Sequence, residues 1–72
     1  MPKADIHNDL RQLRFARSEM TQQELADQVG CTRQTIILLE QERYVPSLAL
    51  AMRIARVFGK PVEEVFRLEE RA

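Results

Sequence analysis

Thr21-Gln22-Gln23-Glu24-Leu25-Ala26-Asp27-Gln28-Val29-Gly30-Cys31-Thr32-Arg33-Gln34-Thr35 is the stretch on which the fold turns. Its first four residues have the spacing of a reciprocal helix cap. The Thr21 hydroxyl can accept from the amide three residues on, while Glu24 can reach back to the Thr21 amide. Leu25, Ala26 and Val29 then fall on one helical face, and Gly30 supplies the permissive residue at which a helix usually stops. Thr32 can cap another helix, with Ile36 and Leu39 as its buried stripe. The pattern predicts helices over about 22–28 and about 33–41, joined by a tight turn.

Before this pair, Asn8 or Asp9 can cap a helix running to about Ser18, with Leu10, Leu13 and Ala16 or Arg17 on its inner side. After it, Tyr44-Val45-Pro46-Ser47 breaks the helical pattern. Pro46 biases Val45 to an extended conformation, and Ser47 is placed to cap a fourth helix over about 48–58. The apolar rows of that helix are Leu48, Met52 and Ala55, or Leu50, Ile54 and Phe58, and Gly59 ends it. A fifth helix starts near Pro61 and carries Val62, Val65 and Phe66 on one side. No β-branched alternation and no Asn-Gly or Asp-Gly turn competes. The expectation is an all-α fold, a compact five-helix bundle over 8–66, with 1–7 as a loose arm and 67–72 as a C-terminal tail.

Seventy-two residues make one domain, too small for core burial alone to give much net stability. One cysteine excludes a disulfide within the chain, and one histidine with one cysteine cannot build a zinc site. Dimerisation is the staple that remains. No apolar run approaches the ~20 residues that span a bilayer, and no signal-peptide pattern opens the chain. The expected location is cytoplasmic, with no membrane partner. There is no nucleophile with a neighbouring base, no metal cluster and no Gly-rich phosphate loop. An enzyme, a cofactor and a small-molecule ligand are therefore not expected.

Eleven Lys and Arg balance eleven Asp and Glu, so net charge lends nucleic-acid binding no support. Distribution says more. From residue 61 onward four acids (Glu63, Glu64, Glu69, Glu70) oppose two bases (Arg67, Arg71), which leaves the first sixty residues at +2. A modest basic face with an acidic tail folded away would suit salt-dependent DNA binding.

A capped helix, a Gly turn and a second capped helix make up the helix-turn-helix arrangement, whose second helix enters the DNA major groove. On an isolated helix Arg33-Gln34-Thr35 would be ordinary solvated surface. At the start of a recognition helix these residues can read bases: Arg bonds guanine O6 and N7, Gln bonds adenine N6 and N7, and Thr touches a thymine methyl or a phosphate. Leu38, one turn on, can add apolar contact with thymine methyls. Phosphate contacts are expected from Gln22 and Gln23 at the start of the second helix, from Thr32, and from Arg43 and Tyr44 after the third. Ile37 belongs to a four-residue apolar run, of which one member must face outward; it is assigned to a neighbouring helix or a subunit contact. Cys31 is taken as structural, and His7 has no role.

The series Met20-Thr21-Gln22-Gln23-Glu24-Leu25-Ala26, Gly30-Cys31-Thr32-Arg33-Gln34-Thr35-Ile36, Leu39-Glu40, Tyr44-Val45-Pro46-Ser47-Leu48 and Val62-Glu63-Glu64-Val65-Phe66 resembles the Cro/cI-type (Xre-like) helix-turn-helix regulators. More narrowly it looks like their short prokaryotic members. The resemblance implies a phage-repressor-like five-helix domain that binds double-stranded DNA as a two-fold homodimer. It also implies an ion pair between an arginine late in the first helix and a glutamate late in the third, places held by Arg14 and Glu40. Four positions depart from the family pattern. The turn Arg17-Ser18-Glu19-Met20 is one residue longer than the commonest form, and Pro61 replaces a Ser or Thr cap. Leu38 stands where a polar reader is common. Glu42 stands where many members have glycine, so the chain is expected to leave the third helix without an easy left-handed cap.

The function this implies is a sequence-specific transcriptional regulator, a repressor acting as a homodimer, with Val65, Phe66 and Leu68 as dimer-contact candidates. Control would come through abundance, a competing protein or autoregulation. The alternative is a protein-interaction module or antitoxin-like partner, docking through Ile37 and Leu38.

Overall fold

The capped pair folds with its local chemistry intact. In the computed structural model, which describes residues 5–69, α2 spans Gln22–Val29 and α3 spans Arg33–Glu40. Thr21 accepts from the Glu24 amide at 3.0 Å, and Glu24 accepts from the Thr21 amide at 2.9 Å. Gly30 closes α2 in the left-handed region at φ 77°, its amide donating to the Ala26 carbonyl. A Cβ there would meet nothing within 4 Å, so glycine is needed for the backbone angle and not for space. Thr32 caps α3 by accepting from the Thr35 amide at 3.2 Å.

α1 covers Leu10–Ala16, α4 covers Leu48–Val57 under a Ser47 cap, and α5 is a single turn, Val62–Val65, with Pro61 just before it. α2 packs on both α3 and α4, and α4 packs on α5. Leu10, Leu25, Val29, Ile36, Leu39, Ile54 and Val65 are the largest fully buried side chains at the centre. Of the two rows on α4, Leu50 and Ile54 turn inward, joined by Ala51 and Ala55, while Leu48 and Met52 face solvent. On α1 the inner side is Leu10 with Arg14; Leu13 is half-buried, and Ala16 and Arg17 are exposed.

The all-α expectation needs a correction. Ile6–Asn8 forms β1 and Phe66–Leu68 forms β2, an antiparallel pair in the register Ile6↔Leu68, His7↔Arg67, Asn8↔Phe66. Ile6 and His7 are therefore not a loose arm, nor Arg67 and Leu68 a tail, and Phe66 opens a strand instead of continuing the fifth helix. Three residues are too few to show alternation, and the partner lies some sixty residues away in sequence, so no local pattern announces this sheet. Residues 1–4 of the expected arm, and Glu70 and Arg71 of the expected acidic tail, lie outside the described residues.

Two helix ends also differ. α1 stops at Ala16, not Ser18, because Ser18 and Glu19 both take left-handed angles, φ 55° and 54°. The Met20 amide turns back to the Arg14 carbonyl at 3.0 Å. At the end of α3, Glu42 adopts φ 60° although it is not glycine. Its amide donates to the Leu39 carbonyl at 2.9 Å and the Arg43 amide to the Leu38 carbonyl at 3.0 Å, which is the Schellman closure. The left-handed cap is thus present, at a conformational cost of ~1–2 kcal/mol for a residue bearing a Cβ. α4 ends through the same closure at Gly59 without that cost.

Candidate nucleic-acid interface

Burial of Ile36 and Leu39 fixes how α3 is rotated about its own axis. At 100° per residue, Gln34, Leu38 and Gln41 then lie on the side away from the core, with Arg33 at the leading end. Arg33, Gln34 and Gln41 are exposed, whereas Thr35, Ile37 and Leu38 are half-buried. The Thr35 hydroxyl sits 3.0 Å from that of Thr32, a hydrogen bond that leaves each hydroxyl further capacity. Gln41, at the frayed end of the sequence pattern, lies three residues after Leu38 and so beside it on the same outward side.

The start of α2 offers the second set of donors. The capping box uses the amides of Thr21 and Glu24, so those of Gln22 and Gln23 have no partner among the described residues. They point out of a helix N-terminus, the arrangement that receives an anionic oxygen. The side chains are more engaged than the amides. Gln22 donates from Nε2 to Glu40 Oε1 at 3.2 Å, and Gln23 donates from Nε2 to Asp27 Oδ1 at 2.9 Å. Arg43 and Tyr44, in the loop after α3, are both exposed.

These two edges are bolted together by one buried cation. Arg14 is 6% exposed, and its Nε and Nη2 donate to the two carboxylate oxygens of Glu40 at 2.6 and 3.0 Å. Its Nη1 donates to the Met20 carbonyl at 2.8 Å, so all three sides of the guanidinium edge are used. Glu40 also accepts from Gln22. One carboxylate therefore joins α1, the first residue of α2 and the last turn of α3. The geometry is the bidentate form that gives a charged pair its strength. Phe15 lies against the same group, with Arg14 and Arg11 at 5.3 and 5.4 Å from its ring centre.

Several polar contacts had no sequence signal. His7 Nδ1 lies 3.1 Å from Glu42 Oε1, and its Nε2 lies 3.5 Å from Glu69 Oε1, so this histidine ties β1 to the left-handed residue after α3. Asn8 donates to the Leu39 carbonyl at 2.7 Å, a second tie to the same helix end. Arg17 donates to the Val57 carbonyl at the C-terminus of α4. Each partner lies more than thirty residues away in sequence. Cys31 is half-buried, and burial pushes its thiol pKa up, away from the thiolate form that a redox sensor needs.

The dimer-contact candidates divide. Val65 is fully buried and Phe66 is 5% exposed, so both close the core of their own chain and cannot form a subunit contact as they stand. Leu68, at 77%, is the one left on the surface. No helix is long and apolar enough to cross a membrane among the described residues.

Comparison with known proteins follows the same outline. A helix-turn-helix family model matches residues 10–65. An uncharacterized HTH-type transcriptional regulator of Methanothermobacter thermautotrophicus is 60% identical over 52 residues, covering 71% of this chain and 75% of that protein. The uncharacterized HTH-type transcriptional regulator YgzD of Bacillus subtilis is 46% identical over 65 residues, covering 90% and 97%. In three dimensions, the crystal structure of a candidate DNA-binding protein from Bacteroides fragilis superimposes with a TM-score of 0.72 at 21% identity, covering 86% of this chain and 98% of that one. At that identity the likeness concerns the fold.

Proposed function

The chain belongs to the Cro/cI-type helix-turn-helix family, and from that membership we propose that it is a cytoplasmic, sequence-specific transcriptional repressor that grips double-stranded DNA as a homodimer. α3 enters the major groove, Arg33 and Gln34 read base edges, and Leu38 contacts thymine methyls. Thr35 and Thr32 present hydroxyls at the edge of the groove. Gln22 and Gln23, chiefly through their main-chain amides, hold the phosphates on one flank, and Arg43 and Tyr44 hold those on the other. Two copies set ~34–36 Å apart would address two half-sites on one face of the duplex.

The observation that carries the reading is the contrast within α3. Ile36 and Leu39 are wholly buried while Arg33 and Gln34, at the same helix's first turn, stand exposed. A rigid core thus holds two base-reading side chain types outward beside an open helix N-terminus. The relatives named as transcriptional regulators support the same reading.

The rival reading uses the fold as a protein-interaction module or antitoxin-like partner. Exposed Val45, Leu48 and Met52 favour it more than Ile37 and Leu38, which are half-buried. In vitro selection of bound duplexes tests the proposal. Recovery of a two-fold motif, with affinity falling steeply between about 50 and 200 mM salt, supports it. Absence of any enriched sequence, or salt-independent binding, sinks it.

A further inference from the structure

The amides of Asp9 and Glu69 donate to the carbonyls of Val65 (3.1 Å) and Asp5 (2.9 Å), which marks these as hydrogen-bonded pairs of the β1–β2 ladder. In an antiparallel ladder such pairs alternate with pairs whose main-chain groups point outward. His7↔Arg67 is therefore bonded inward, and Leu68 directs its N–H and C=O away from β1, toward the open edge of β2. The Phe66 amide is already taken by the Val62 carbonyl, whereas the main-chain groups of Leu68 have no partner among the described residues. The Leu68 side chain, 77% exposed, stands at the same edge beside a groove lined by Glu63, Phe66 and Glu69.

Resting on the homodimer reading, we infer that two copies join through this edge, β2 pairing antiparallel with β2 of a second copy about a two-fold axis at Leu68. The charges around the axis are self-complementary. With Leu68 opposite itself, Arg67 faces Glu69 of the second copy and Glu69 faces its Arg67. Cross-strand opposite charges stabilise such a pair, and like charges oppose it. Centring the axis on Arg67 or on Glu69 instead would set like charges against each other. The register is thus specified by charge. Arg67 donates from one Nη1 to Asp9 at 2.7 Å and keeps further guanidinium donors for a second acceptor. The other exposed large apolar side chains, Phe15, Tyr44, Val45, Leu48 and Met52, carry no such self-matching pattern.

Sedimentation equilibrium on the full chain tests this, with far-UV circular dichroism as the folding control. Leu68→Pro deletes an outward N–H that the β1–β2 ladder does not use, so the fold is kept and the dimer dissociation constant rises about tenfold or more. Arg67→Glu and Glu69→Arg each weaken the dimer, and the double variant R67E/E69R restores it because the facing charges are exchanged. In a Cys31→Ala background, Leu68→Cys is joined across the two-fold by a short thiol-specific bifunctional crosslinker, since directly opposed bonded residues lie ~5.5 Å apart between Cα atoms. If these variants stay dimeric with unaltered affinity and no crosslink, another face joins the copies; the edge is refuted while the dimer reading stands. A wild-type chain that remains monomeric on its operator overturns both.

Discussion

Glu40 accepts two hydrogen bonds from Arg14, at 2.6 and 3.0 Å, from a guanidinium that is almost wholly buried. The pair crosses from the helix before the DNA-facing motif to the last turn of the helix that carries Arg33 and Gln34. Its position makes it a brace for the reading edge, because Glu40 also holds the side chain of Gln22. A brace of this kind does not need to add net stability to matter; removing half of it strands a charge.

Arg14→Ala is accordingly expected to destabilise the domain by ~3–5 kcal/mol, the usual cost of leaving one member of a buried pair alone. The double replacement R14M/E40L should recover most of that loss. Urea denaturation followed by circular dichroism measures both, and a loss below ~1 kcal/mol for Arg14→Ala would place the pair among exposed ones.

Arg33→Ala is expected to weaken operator binding by ~1–3 kcal/mol and to relax preference at one base position. Arg43→Ala should weaken all duplexes alike and lower the salt slope by about one. Titrations on operator and random DNA at several salt concentrations separate the two roles. Equal losses on both duplexes for Arg33→Ala would remove it from base reading.

Glu42 occupies a left-handed position while its carboxylate meets His7. In a His7→Ala background only the strain remains, so adding Glu42→Gly should raise stability by ~0.5–1 kcal/mol. Thermal denaturation reads this as a higher Tm. An unchanged or lower Tm would mean that the glutamate side chain makes a contact worth more than the strain.

Cys31 supplies a pH test. Burial raises its thiol pKa, so the folded chain holds that proton more tightly than the unfolded one. The stabilisation is complete below the unfolded thiol range, at ~8.5, and is lost as pH rises through the folded value. Urea midpoints should therefore fall with alkaline pH more steeply in the wild type than in Cys31→Ala. Parallel profiles would assign the alkaline loss to other groups.

Local chemistry was legible wherever cause and effect lie within one helical turn. Thr21 with Glu24, Thr32 with the Thr35 amide and Ser47 with the Leu50 amide are partners three residues apart, so their caps can be read by eye. Gly30 announces its turn for the same reason. The exposure of Arg33 and Gln34 also follows, because Ile36 and Leu39 declare the buried side of the helix.

The sheet, the fate of Val65 and Phe66, and the grip of His7 and Asn8 on the end of α3 belong to another class. Each depends on chain segments that are distant in sequence and become neighbours only when the core closes. Periodicity says that a side chain is apolar; it cannot say whether its own chain or a second copy covers it. Choosing between Leu48–Met52 and Leu50–Ile54 on α4 required the same information, since both rows satisfy the helical repeat. Hydrogen bonds across one turn are written into neighbouring residues, whereas burial is a property of the assembled whole.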